Sequence, residues 1–263
     1  MHEVHPPQEA VHSWRGFLLH IATIVIGLLI AVGLEQPVEA IHDRHQRHLL
    51  EEQTSEVFKS NLSANEVSFQ QLKGLRAYLT DLRAAIIARQ RGQSTPAQPP
   101  VDDPRMATFP RFPNLAPYEA AQENGTIALL PTDRIRIYNR VAYQRELLGE
   151  VRNHWLEGLA AISAFQERYV DSTGSLAVQG ISIAPDLSTL TVAERGEYLA
   201  IVAALIKQVD MYVARLHLLD LQCRAILDGV RDEDELIRLI TSEVAAGAGA
   251  AQALPKHPGA SVA

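Results

Sequence analysis

The longest hydrophobic stretch of the chain runs from Phe17 to Leu34, with no charged side chain between Arg15 and Glu35. Twelve of its eighteen positions are Phe, Leu, Ile or Val. Coiled as a helix, they reach roughly 27 Å, close to the hydrocarbon thickness of a bilayer. At about −0.3 to −0.6 kcal/mol each, those twelve side chains supply roughly −4 to −7 kcal/mol of insertion free energy. His20, Thr23, Gly27 and Gly33 return part of this without reversing its sign. The pattern therefore predicts a transmembrane helix over 17–34. Trp14 lies at one edge, where an amphipathic indole favours the headgroup level. Pro37 follows the other edge, where it can kink or restart the helix. The next most apolar run, Leu199 to Ile206, stops at Lys207, so the expected topology is single-pass.

Two other readings compete for this segment. A cleaved export signal would use the small residues Ala31, Val32 and Gly33. However, the segment before the apolar run is long and carries Glu3 and Glu9, with Arg15 its only basic side chain. The run also exceeds the usual signal core of about 7–15 residues. A buried helix of a water-soluble domain is the third reading, and an eighteen-residue charge-free run disfavours it. An uncleaved anchor is expected.

Beyond the anchor the hydrophobic period becomes helical. Between Val38 and Arg91 there is no proline and one glycine, Gly74. Phe69, Leu72, Leu75, Leu79, Leu82 and Ile86 recur in steps of three and four, which puts them on one helical face. The preceding HDRHQRHLLEEQTSE is polar, so 35–91 reads as a juxtamembrane stalk helix that packs only in its distal half. An ordinary amphipathic helix is the simpler reading, and a dimeric coiled coil the other. Residues 92–117 form a proline-rich linker, in which Phe109 and Phe112 are expected to dock onto the helices. PYEAAQENG follows as a short helix, with Pro117 suited to its start and Gly125 to a left-handed cap.

The second long helix starts near Thr132 or Asp133 and runs to about Tyr169. Its apolar stripe is Tyr138, Val141, Leu148, Val151, Trp155, Leu159, Ile162 and Phe165. The third opens at Thr191–Glu194, which has the form of a capping box. Its stripe runs Leu199, Val202, Ile206, Val209, Val213, Leu216, Cys223 and Leu227, with Asp220 as the one charged residue on the seam. Asp171 to Leu187 reads as a loop with room for a short strand at 180–184. Glu235 to Ala245 closes the fold, and the low-complexity 246–263 reads as a disordered tail. The expected fold class is all-α: a single N-terminal transmembrane helix, a long stalk helix and an antiparallel helical bundle over 118–245. Residues 1–16 form the N-terminal flank.

Composition narrows the function classes. The chain has 263 residues, 47% of them hydrophobic, and a net charge of −7. It has no long Lys/Arg run, so nucleic acid is not an expected partner. The single cysteine, Cys223, excludes an intrachain disulfide. Aromatic residues are scarce at 6%, which favours helices over strands.

Histidines are unevenly placed. Seven of the ten lie in the first 48 residues: His2, His5, His12, His20, His42, His45 and His48. The last three follow steps of three on a helix, so neighbours share a face and become candidate ligands for Zn²⁺, Cu²⁺ or Ni²⁺, or a proton sensor. Against this, the outer two diverge by about a third of a turn, and Arg44 and Arg47 would repel a cation. The simpler role of Arg44, Arg47 and these histidines, with Trp14 and Arg15 on the other side, is contact with the headgroup zone. His20 lies inside the apolar run, where a polar group either serves a function, mediates helix pairing or snorkels to the interface.

Catalytic signatures do not emerge. No GxSxG, HExxH, GxxxxGK[ST] or CxxC occurs. Glu194, Glu197, Asp210 and Asp220 are scattered along helices, and His154 and His217 read as boundary residues. Neither an enzymatic activity nor a cofactor is expected. The positive charges flanking the span are nearly balanced, and a cytoplasmic N-terminus with a periplasmic bulk is the preferred orientation.

The opening HEVHPP, followed by HSWRGFLLHIATIVIGLLIAVGLEQPVEAIHDRH, resembles a family of bacterial single-pass membrane proteins of unknown function. YEAAQENGTIALLPTDRIRIYNRVAY is similar to that family's segment in which an aromatic-led helix ends at glycine before another helix. The resemblance implies an inner-membrane protein with a histidine-rich, membrane-flanking N-terminus, and it carries no catalytic residue. Together these readings predict a membrane-anchored, non-enzymatic helical module that binds a partner or senses a condition at the envelope. Its expected partners are the lipid bilayer and, through the helical region, a second copy or another protein. The alternative is a metal- or pH-responsive protein using His42, His45 and His48.

Overall fold

The computed structural model describes residues 14–93, 98–99, 103, 105, 110–168 and 185–252. Side chains at 31, 32, 34–36, 166–167 and 247–252 also lie outside this description. Among the described residues the fold is all-helical, in the order α1 (Trp14–Gln90), α2 (Ala116–Glu123), a 3₁₀ turn (Thr126–Leu129), α3 (Thr132–Glu167), α4 (Val192–Leu227) and α5 (Glu233–Gln252). The chain divides into two compact units, Met1–Glu51 and Glu52–Ala263.

The first unit is helix from Trp14 onward. It continues through Pro37, although an interior proline forgoes one backbone hydrogen bond and crowds the carbonyl four residues back. The expected separation of a span from a stalk at residue 34 is therefore not a break in the helix. Large apolar side chains are exposed around most of the helix, Phe17, Leu19, Ile21, Ile24, Ile26, Leu28 and Ile30 among them. Among the described residues, no helix is long and apolar enough to cross a membrane. The span expected over 17–34 includes positions 31, 32 and 34, whose side chains lie outside the described residues.

The second unit packs the distal part of α1 with α3 and α4. Contacts along α4 run in descending order against both partners. Asn65, Phe69 and Arg76 of α1 meet Asp220, His217 and Asp210. On α3, Gln144, Trp155 and Phe165 meet Arg215, Tyr212 and Tyr198. So α4 runs antiparallel to both. The core between them is apolar and aromatic, with Leu72, Leu79, Leu82, Ile86, Ile137, Leu148, Ile162, Phe165, Val202, Val209 and Leu216 all buried.

The α3 stripe read from the sequence is buried at all eight positions. Two other expectations need correction. Packing of the stalk 35–91 is not confined to its distal half, since Thr54, Phe58 and Asn61 are buried as well as Asn65 and Ser68. They continue the apolar stripe upstream in steps of three and four, mostly as polar residues, of which Asn61, Asn65 and Ser68 make hydrogen bonds within the fold. On α4 the buried line is Tyr198, Val202, Leu205, Val209, Tyr212, Leu216, Leu219, Cys223 and Ile226. Leu199, Ile206, Val213 and Leu227 sit beside it, half-buried. Tyrosine rings bring more apolar area than the neighbouring aliphatic side chains, and they take the central positions.

The connections follow local rules. Thr191 caps α4 with both bonds of a capping box: its hydroxyl accepts from Glu194 N, and Glu194 accepts from Thr191 N. Gly125, with φ +81°, turns the chain between α2 and the 3₁₀ turn. Gly229, with φ +103°, does so after α4. Asp232 then accepts from Glu235 N at the start of α5. α5 extends to Gln252, past the expected end at Ala245, so part of the segment read as a disordered tail is helical. Its sequence AAGAGAAQ is rich in alanine, the residue that helices accommodate at least cost, with its two glycines each costing about 1 kcal/mol. The strand expected at 180–184 and the remainder of the tail lie outside the described residues.

Candidate functional site

The first unit carries the membrane-related candidates on a single helix. Trp14 is 72% exposed and stacks on Phe17 at 5.8 Å. Arg15 and Arg44 are exposed and Arg47 half-exposed. His20 is exposed, beside Gly16, Phe17, Leu19 and Thr23 in a shallow concavity. The Thr23 hydroxyl donates to Leu19 O at 2.9 Å, the bond a hydroxyl makes on a helix when water is not needed to satisfy it. Val38 and Ile41 stay 66% and 70% exposed in the charged stretch beyond the apolar run.

His42, His45 and His48 are all exposed on this helix. His45 and His48 share an open groove with Ile41, Arg44, Arg47 and Glu51. The structure does not bring the three histidines together, because each step of three rotates the side chain by about 60° short of a full turn. Among the described residues no group of three or more His, Cys, Asp or Glu is placed to hold a metal ion. Two guanidinium groups beside the histidines act in the same direction.

The second unit holds a polar site that the hydrophobic pattern did not reveal. Asn65, 1% exposed, donates from Nδ2 to Asp220 Oδ1 at 2.9 Å. Arg224 donates from Nη2 to Asp220 Oδ2 at 3.1 Å. Each carboxylate oxygen of the buried Asp220 thus accepts a bond, one across the α1–α4 interface and one from the next turn of α4. Cys223 lies against this node, and burial, helped by the Asp220 charge, pushes its thiol up. One turn before Asn65, Asn61 clamps the backbone of Asn114 from both sides, donating to its carbonyl at 2.8 Å and accepting from its N–H at 3.0 Å. That clamp fixes the segment leading into α2 on α1.

Charged groups elsewhere are similarly engaged. Arg105 forks onto Asp103, reaches Asp81 at 2.9 Å and lies 5.5 Å over the Tyr78 ring. The Arg105 guanidinium holds the Asp103 carboxyl below its ordinary range. Burial pushes the hydroxyls of Tyr78, Tyr118 and Tyr212 up to about 12 and raises Tyr198 as well. Buried Arg134 donates to Val230 O at 3.2 Å. Phe112 packs against α3 at Gly149, with the guanidinium carbons of Arg145 and Arg152 at 4.9 and 5.3 Å from its ring centre. This is the docking expected for Phe112, whereas Phe109 lies outside the described residues.

Of the scattered carboxylates, Glu194 belongs to the α4 capping box, Glu197 pairs with Arg168 and Asp210 with Arg76. His154 is paired with Glu157 on the surface, and the His217 ring meets Phe69 edge-on at 6.4 Å. Asp210 ties α4 to α1, Glu194 and His154 act within their own helices, and these groups do not converge on a common point. Concavities of the second unit include open surface grooves along α3, lined by Phe112, Glu119, Tyr143 and Glu146, on α4, lined by Arg83, Ile206, Lys207 and Met211, and between α3 and α5, lined by Arg136, Arg140 and Glu233.

No family model matches the chain, and neither a curated protein nor a solved structure matches it.

Proposed function

We propose that the protein is a membrane-anchored, non-enzymatic helical module, with one N-terminal helix in the bilayer and a packed helical unit that engages a partner at the envelope. One observation carries this reading. From Phe17 to Ile30 the helix exposes large apolar side chains around most of its circumference, all but the face of His20, Thr23 and Gly27, with no charge between Arg15 and Glu35. A helix apolar over most of its circumference is stable only where those sides are covered, and lipid covers them without a dedicated partner. Continuation of the run through positions 31–34, with Trp14 and Arg15 at one fence and Arg44 and Arg47 at the other, matches the spacing of a bilayer's two interfaces. The favoured location is the bacterial inner membrane, as the family resemblance implies, with the N-terminus cytoplasmic and the bulk periplasmic. A binding rather than catalytic role is favoured because the buried charges Asp103, Arg134 and Asp220 are all taken up by contacts within the fold.

The test is extraction of membranes from cells expressing the full chain. At alkaline pH the protein is expected to stay with the bilayer, and a variant carrying Ile24→Arg and Leu28→Arg to appear in the soluble fraction. Each arginine at mid-helix costs about 2.5–3.5 kcal/mol on the insertion scale, enough together to cancel the gain from the apolar run. Release of the unaltered chain by alkali would overturn the anchor.

A further inference from the structure

The first unit has one face that its charges avoid. At about 100° per residue, His20, Thr23, Gly27, Val38, Ile41 and His45 fall within an arc of about 60° on α1. The charged residues from Trp14 to Glu51 are Arg15, Glu35, Glu39, Asp43, Arg44, Arg47 and Glu51, and by the same count their positions all fall outside that arc. Within the apolar run this face is where the polar His20 and Thr23 lie. Beyond it, among charged neighbours, the same face turns apolar at Val38 and Ile41, which are left 66% and 70% exposed. So the stripe is polar where lipid would surround it and apolar where water would. Neither solvent suits it, but a protein surface suits both halves.

We infer that this face is covered by a second copy of the chain, in a parallel twofold contact running from the membrane segment into the stalk. The inference rests on the anchor proposed above, because a single-pass anchor holds two copies side by side in the same direction and at the same depth. Each residue on the seam then meets its own counterpart. Such a contact tolerates no charged side chain, since like would face like, and the charge-free arc meets that demand. His20 suits it too: a neutral imidazole carries one donor and one acceptor, so two copies satisfy each other where lipid offers neither. Gly27 allows the backbones to approach, and Val38 and Ile41 bury their exposed area against themselves.

Single cysteines placed along the stalk test this in native membranes under mild oxidation. Cys223 is buried, so the unaltered chain serves as the blank. Ile41→Cys and His45→Cys are expected to give disulfide dimers at roughly fivefold the yield of Asp43→Cys and Arg47→Cys, because a disulfide closes only when the two Cα atoms come within about 7 Å. Adding His20→Leu to Ile41→Cys is expected to lower its yield severalfold; an unchanged yield would overturn the part given to His20. If the chain stays in alkali-washed membranes but the four sites crosslink equally or not at all, the parallel dimer is wrong and the anchor stands. A chain that alkali releases overturns both.

Discussion

The polar residues of the α1–α4 interface matter more than their number implies. Asn65 and Asp220 form a buried pair in which each partner makes the other's burial tolerable. Removing one leaves a buried polar group without its bond, at a cost of about 1–3 kcal/mol, and more where the survivor is charged. Asn65→Ala is therefore expected to lower the stability of the full chain by about 2–4 kcal/mol, read from denaturant unfolding followed by helical circular dichroism. The double variant Asn65→Leu with Asp220→Leu is expected to recover most of that loss, because it leaves no orphaned group and Arg224 remains half-exposed to water. A double variant as unstable as the single would show that the pair contributes through its own attraction rather than through mutual satisfaction. This node also marks where the sequence was least legible. Asp220 stood out as a charge on the apolar seam of α4, but nothing in the sequence pointed to Asn65, which sits 155 positions away. Asn61, Asn65 and Ser68 occupy core positions as polar side chains, and a search for hydrophobic periodicity passes over them. Only the partner helix, brought close by the rest of the fold, explains why they are inside.

The helices differ in how plainly their packing can be read. The eight α3 positions read from the sequence are all buried because they are large apolar residues at regular spacing, while the buried Arg134, Ile137 and Gln144 fall outside that stripe. On α4 two candidate stripes lie side by side, Leu199–Ile206–Val213 and Tyr198–Leu205–Tyr212, and counting hydrophobic residues does not rank them. The distinction comes from the facing helix: Phe165 stacks on Tyr198 at 5.0 Å, and Trp155 meets Tyr212 edge-on at 5.7 Å. Glycines on α3 record the same geometry. At Gly158 an added Cβ would stand 2.8 Å from Leu205 Cδ2 and 2.7 Å from Gln208 Oε1, so α3 and α4 approach closely there. Leu205 is 1% exposed and has little room to give. At Gly149 the nearest atom is Phe112 Cζ at 3.5 Å, an ordinary contact. The two positions should respond oppositely. Gly149→Ala is expected to stabilise the fold by about 0.5–1 kcal/mol through helix propensity. Gly158→Leu is expected to cost about 1–3 kcal/mol or more by overpacking. Thermal unfolding of the two variants beside the parent distinguishes them, and a stabilising Gly158→Leu would contradict the close approach.

At the scale of the whole molecule, the two compact units place their apolar surface differently. The second unit turns its large apolar side chains inward and keeps charged pairs such as Arg76–Asp210, Arg140–Glu233 and Arg168–Glu197 on its surface. The first unit turns its large apolar side chains outward between Phe17 and Ile30. Hydrophobic burial scales with the apolar area removed from water, about 25 cal/mol per Å², and for the first unit none of that removal happens within its own helix. Stability and membrane affinity should therefore be separable along the chain. A chain starting at Glu52 retains the buried stripe of α1 from Thr54 to Ile86 together with α3 and α4. It is expected to remain helical, unfold in one cooperative step and stay in solution without detergent, while the full chain requires detergent or lipid. Sedimentation after high-speed centrifugation, with circular dichroism on the supernatant, checks both halves of the expectation. If the shortened chain were insoluble or lost its cooperative transition, residues before Glu52 would be part of the packed core. The same deletion removes the charge-free face of α1, so a shortened chain that still crosslinked as a dimer would place the self-contact in the second unit instead.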